Sequence, residues 1–170
     1  MRSARAKERK KMLRRIPPGD YREDWMKEPG EMVWRRTFPG TKDQVRAARR
    51  FVEALFAETG KEDDAGLITD ELVSNALVHS RSGEPGGWFG VEAALGEVCY
   101  VGVTDLGGSK RPKLGNGEID PLSEGGRGLW IVEELALAVG IYGSPERGFT
   151  VWADLEPDLK TGVLAGAVCA

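Results

Sequence analysis

The chain holds 170 residues, 41% hydrophobic and 30% charged, enough to bury one ordinary core and too few for two large domains. Its net charge of -3 conceals an asymmetry: residues 1–15 carry eight Lys or Arg and only Glu8, a net of +7, which leaves -10 on the remainder. Phosphate backbones are gripped by clustered cations, so an acidic body argues against direct nucleic-acid binding by the domain itself. Two cysteines (Cys99, Cys169) and one histidine (His79) make neither a structural zinc cluster nor a disulfide framework. No run of eighteen apolar residues occurs and no apolar stretch follows the N-terminal cations, which predicts no membrane contact and a cytoplasmic protein.

Residues 1–30 join the basic run to Pro17, Pro18, Gly19, Pro29 and Gly30 without regular apolar spacing, and read as a flexible extension, solvated or partner-binding. The predicted domain covers residues 31–156, followed by a tail at 157–170 that is small and apolar from Val163 to Ala170. Met32 to Phe38 reads as a strand closed by Pro39 and Gly40. Thr41 and Gln44 have capping-box spacing, and Val45, Ala48, Val52, Leu55 and Phe56 recur at helical intervals up to Gly60. Arg46, Arg49 and Arg50 fall on the other side of that helix. A second helix is predicted from about Asp63 to His79. Beyond the Gly/Pro-rich stretch 82–87, Trp88–Leu95 and Val98–Asp105 read as a hairpin around Gly96-Glu97. Residues 106–127, with six Gly and two Pro, are too long for a simple connection and suit a binding loop. A third helix from about Gly128 and strands at Val139–Tyr142 and Phe149–Leu155 complete the order. Helices and strands do not alternate strictly, which predicts a two-layer α/β sandwich, a mostly antiparallel sheet with helices on one face.

Three segments place polar groups or glycines where the pattern wants core. Glu71, Asn75 and His79 recur every four residues and share one helical face. A neutral carboxamide oxygen suits Mg²⁺, and a carboxylate one turn away can take a proton from an attacking hydroxyl; the same pair also fits the exposed face of an amphipathic helix. Val101 to Gly108 is a strand ending in Asp105 and glycines, where a carboxylate can accept from an exocyclic amine while a flat ring approaches bare backbone. An ordinary Asp-x-Gly turn is the plainer reading. Gly125-Gly126-Arg127-Gly128 opens the third helix and offers free N–H groups to an anion, but lacks the Gly-Lys-Ser/Thr ending of a P-loop.

In order, Glu71-x-x-x-Asn75-x-x-x-His79-Ser80, Val103-Thr104-Asp105-Leu106-Gly107-Gly108, Gly126-Arg127-Gly128-Leu129 and Gly148-Phe149-Thr150-Val151-Trp152-Ala153 resemble the N, G1 and G2 boxes and closing strand of the GHKL ATPase superfamily. Within it, the compact domain resembles the bacterial anti-sigma-factor serine/threonine kinases. That resemblance implies ATP and Mg²⁺ as cofactors, Asn75 as the Mg²⁺ ligand and Glu71 as the general base. It implies Asp105 on the adenine amine, Gly107, Gly126 and Gly128 shaping the nucleotide pocket with Leu129 beside them, Arg127 reaching the phosphates or simply facing solvent, and Thr150 near the adenine. Lys110, Arg111 and Lys113 would neutralise phosphate or stand as solvated loop charges, and His79 would be a packing histidine. The implied partners are a sigma factor and an anti-anti-sigma protein, with a homodimer as the assembly and the Arg46, Arg49 and Arg50 side as a contact surface. The G1 segment departs from the common Asp-x-Gly-x-Gly by placing Gly108 directly after Gly107. A non-catalytic ATP-binding module that holds a partner protein is the alternative; the ATP domain of a histidine kinase fits less well, since His79 lies inside the N box.

Overall fold

The structure is a computed structural model that describes residues 33–108 and 127–158. It contains β1 (Val33–Pro39), α1 (Gln44–Phe56), α2 (Glu62–His79), a single 3₁₀ turn (Arg81–Gly83), β2 (Trp88–Ala94), β3 (Cys99–Thr104), α3 (Arg127–Leu135), β4 (Ala138–Ser144) and β5 (Gly148–Leu155). The strands form one sheet in the order β1-β2-β3-β5-β4, and every neighbouring pair is antiparallel. The two-layer α/β sandwich expected from the element order is the fold observed.

Alternation within the strands sets which face is covered. Phe89, Val91 and Ala93 of β2, Val101 and Val103 of β3, and Val151 and Ala153 of β5 enter the core shared with the helices. From α1 come Ala48, Val52 and Phe56, four residues apart and all buried. α2 is buried over a broader arc, through Ala65, Ile68, Thr69, Leu72, Val73 and Ala76, because it packs against α1, α3 and the sheet together. The hydroxyl of fully buried Thr69 is satisfied by donating to the Ala65 carbonyl at 2.7 Å. Gly66 permits close approach of α2 to α1, since a Cβ there would stand 2.6 Å from Glu53 Oε1. Arg49 closes that seam from α1, bonding Glu53 and, at 2.7 Å, Asp70.

Two local expectations are corrected. The Thr41–Gln44 capping box does not form: Asp43 is the N-cap with no side-chain cap bond, and Gln44 Nε2 donates sideways to Asp43 Oδ2 at 2.7 Å. The helix itself ends at Phe56, and residues 57–60 make a turn finished by Gly60 at φ 69°. The third helix covers Arg127–Leu135, in keeping with its expected start near Gly128.

Candidate nucleotide and phosphoryl-transfer site

α2 carries the first group of polar residues. Glu71 and Asn75, one turn apart, are both half-buried on the side of the helix that leads toward α3 and the end of β3. The Glu71 carboxylate lies against the start of α3: a Cβ on Gly128 would stand 2.2 Å from Glu71 Oε2. A side chain at this position would have to displace that carboxylate, which gives the glycine a packing reason without invoking a turn. Burial, and secondarily the negative charge of neighbouring Asp70, holds the Glu71 carboxyl above its ordinary value of 4.5. Asn75 has its Nδ2 shut off from solvent with no hydrogen-bond partner among the described residues. Such a group is costly unless something else engages it.

His79, one turn further on, is exposed at the end of α2, so its expected role as a packing histidine is not what the structure shows. From Glu71 to His79 the helix advances about 12 Å at 1.5 Å per residue. At its far end it meets the loop that follows β3, where a Cβ on Gly108 would lie 3.2 Å from the His79 carbonyl oxygen.

That loop holds Asp105, buried at 6% exposure. Its Oδ1 accepts from the Gly107 N–H at 2.6 Å and from the Phe149 N–H of β5 at 3.0 Å. The Asp105 N–H in turn donates to the Phe149 carbonyl at 2.8 Å. Oδ2 has no partner among the described residues and remains available as an acceptor. Gly107 takes φ 74°, and a Cβ there would stand 2.1 Å from the Pro145 carbonyl oxygen, so the turn and the close approach both require glycine.

Thr150 does not join this group. It pairs across the sheet with Thr104, hydroxyl to hydroxyl at 2.7 Å, and alternation puts it on the opposite face from Val151 and Ala153. The β5 residue beside Asp105 is Phe149, one position earlier. Leu129 is half-buried and packs against the core from α3. Gly126, Lys110, Arg111, Lys113 and the Arg127 side chain lie outside the described residues.

Arg81 and Ser82, to which no motif in the sequence points, hold the Asp105 loop through Leu106 and Gly107. Their partners lie about 25 residues away, so no local spacing announces them.

No helix among the described residues is long and apolar enough to cross a membrane. Nor do the described residues hold a group of three or more His, Cys, Asp or Glu fit to bind a metal by themselves. The site still fits Mg²⁺ that arrives with a polyphosphate. Mg²⁺ retains several waters, takes phosphate oxygens and needs few protein ligands, and the unpartnered carboxamide of Asn75 can turn its oxygen toward such an ion.

None of the curated proteins compared with this chain matches it. The family model described as the histidine kinase-like ATPase domain matches residues 38–154, from the end of β1 nearly to the end of β5. That span takes in Glu71, Asn75, Asp105 and Gly128, and the chain belongs to the histidine kinase-like ATPase domain family.

Proposed function

We propose that this ATP-binding, kinase-like domain is a serine/threonine protein kinase of the anti-sigma type. In this reading it holds a sigma factor and, with ATP and Mg²⁺, phosphorylates an anti-anti-sigma protein. The observation that carries the catalytic part is Glu71, a partly desolvated carboxylate with raised proton affinity, one turn from an unpartnered carboxamide and against the glycine that opens α3.

The chemistry follows from those groups. Asn75 would hold Mg²⁺, which when bound neutralises phosphate charge and orients the terminal phosphoryl group. Glu71 accepts the proton of an acceptor Ser or Thr hydroxyl as the hydroxyl oxygen attacks the terminal phosphorus and ADP departs with the bridging oxygen, and its raised pKa improves it as a base. Asp105 Oδ2 accepts from the adenine 6-amino group; guanine presents a carbonyl at that place and leaves two acceptors facing each other.

The sigma-factor and anti-anti-sigma partners, the homodimer and a cytoplasmic location belong to the same reading. Charge supports a partner face beside α1, where Lys42 and Arg46 line a groove of about 420 Å³ with Val45 and the Arg49–Asp70 ion pair on an otherwise acidic body. Incubating the purified protein with γ-labelled ATP, Mg²⁺ and a panel of purified anti-anti-sigma proteins tests the proposal. Label should move to a Ser or Thr of one of them; tight ATP binding without transfer to any would favour a non-catalytic partner-binding module.

A further inference from the structure

The backbone beyond Asp105 can be accounted for group by group. The Leu106 N–H donates to Ser82 Oγ at 3.0 Å. The Leu106 carbonyl accepts from Arg81 Nε at 3.1 Å and from Arg81 Nη2. The Gly107 N–H goes to Asp105 Oδ1 and the Gly107 carbonyl accepts from the Arg81 N–H at 2.8 Å. All four main-chain polar groups of these two residues are satisfied, three of them by the turn that ends α2.

That turn is itself fixed to the helix. Ser80 Oγ donates to the Ala76 carbonyl at 2.7 Å and accepts from the Ser82 N–H at 3.0 Å, and Ser82 is fully buried. The Arg81 guanidinium makes a third connection, from Nη2 to the Glu146 carbonyl at 3.3 Å in the turn between β4 and β5. One exposed side chain thus ties together the end of the helix bearing Glu71 and Asn75, the loop bearing Asp105, and the hairpin whose Phe149 N–H holds Asp105 Oδ1.

We propose that Arg81 is a positioning residue for base selectivity: by clamping Leu106 to the β4–β5 turn it fixes the loop from which Asp105 presents its free oxygen to the base. The proposal rests on Asp105 being the adenine acceptor. Arg81 points its donors at backbone carbonyls, so its effect is geometric and not that of a charge facing phosphate. A planar fork reaches two carbonyls at once, whereas a lysine ammonium keeps the charge but loses the fork.

The test measures ATP and GTP affinity by calorimetry, alongside thermal melting, for the parent, Arg81→Ala, Arg81→Lys, Asp105→Asn and the Arg81→Ala/Asp105→Asn double variant. Arg81→Ala should weaken ATP roughly tenfold while GTP stays within about twofold, so the preference for adenine collapses, with little change in melting temperature. Arg81→Lys should behave like Arg81→Ala. The double variant should be no less selective than Asp105→Asn alone. Equal losses for ATP and GTP would overturn the proposal in favour of a phosphate contact, and so would full rescue by lysine. Equal losses together with a large fall in melting temperature would make Arg81 a structural residue only. If Asp105→Asn abolishes selectivity and neither Arg81 variant changes it, this proposal alone fails. If Asp105→Asn leaves selectivity intact, the assignment of Asp105 fails and this proposal with it.

Discussion

The two ends of the site are built in opposite ways. At the Asp105 end nearly every polar group already has a partner: two backbone N–H groups hold Oδ1, and Leu106 and Gly107 are fully bonded to neighbouring turns. At the Glu71 and Asn75 end the structure leaves polar groups short of partners, with a partly desolvated carboxylate and a buried carboxamide nitrogen that bonds to nothing described. Recognition of a flat base needs one acceptor held at a fixed place, which preorganised backbone bonds provide. Phosphoryl transfer needs groups that gain their partners from Mg²⁺, phosphate and the incoming hydroxyl, and those groups stay under-bonded until the reactants arrive.

Each end can be broken separately, and the largest effect is expected from Glu71→Gln. It should keep ATP affinity and lower phosphoryl transfer by roughly 10²-fold or more, read by labelled-ATP transfer beside calorimetry. Asn75→Ala comes next. It should cost roughly tenfold to a hundredfold in Mg²⁺-dependent ATP affinity, the range that changes around a metal site produce, while affinity measured in EDTA stays near the parent value. Asp105→Asn should lower the ratio of ATP to GTP affinity about tenfold, since its carboxamide keeps an oxygen on the two backbone N–H groups and turns a donor toward the adenine amine. Transfer from whatever ATP still binds should be nearly unaffected.

The smallest effect is on stability and has a defined sign. Because the folded state raises the Glu71 pKa, that carboxyl favours folding when protonated and loses the contribution as pH rises through the raised value. Glu71→Gln should therefore melt slightly above the parent at neutral pH, with the gap closing as pH falls toward the ordinary value of 4.5. An unchanged gap across that window would mean that Glu71 is not desolvated in the way its position implies.

Much of this division was legible in the sequence. Four-residue spacing put Glu71 and Asn75 on one face because an α-helix repeats every 3.6 residues, and α2 has that form. Asp105 at a strand end before glycines was equally readable, and Gly107 does take the positive φ that such a turn needs. Thr150 misled because its neighbour one position away faces the other side of a pleated strand, and resemblance between short motifs does not fix a register of one residue. Gly128 was read as an anion-site glycine, while the structure adds a steric reason, the Glu71 carboxylate pressed against it. Arg81 and Ser82 stayed hidden since their significance lies in contacts to Leu106 and Glu146, which only the tertiary fold brings near.

The central claim is that base recognition and chemistry are housed at separate ends, with Glu71 as the base. Its most direct test is single-turnover transfer from ATP already bound to Glu71→Gln, with Mg²⁺ and a Ser/Thr acceptor protein that the parent phosphorylates. The account predicts loaded nucleotide that stays intact while the parent transfers its label. Transfer from the bound ATP at the parent rate would contradict it and place the base elsewhere.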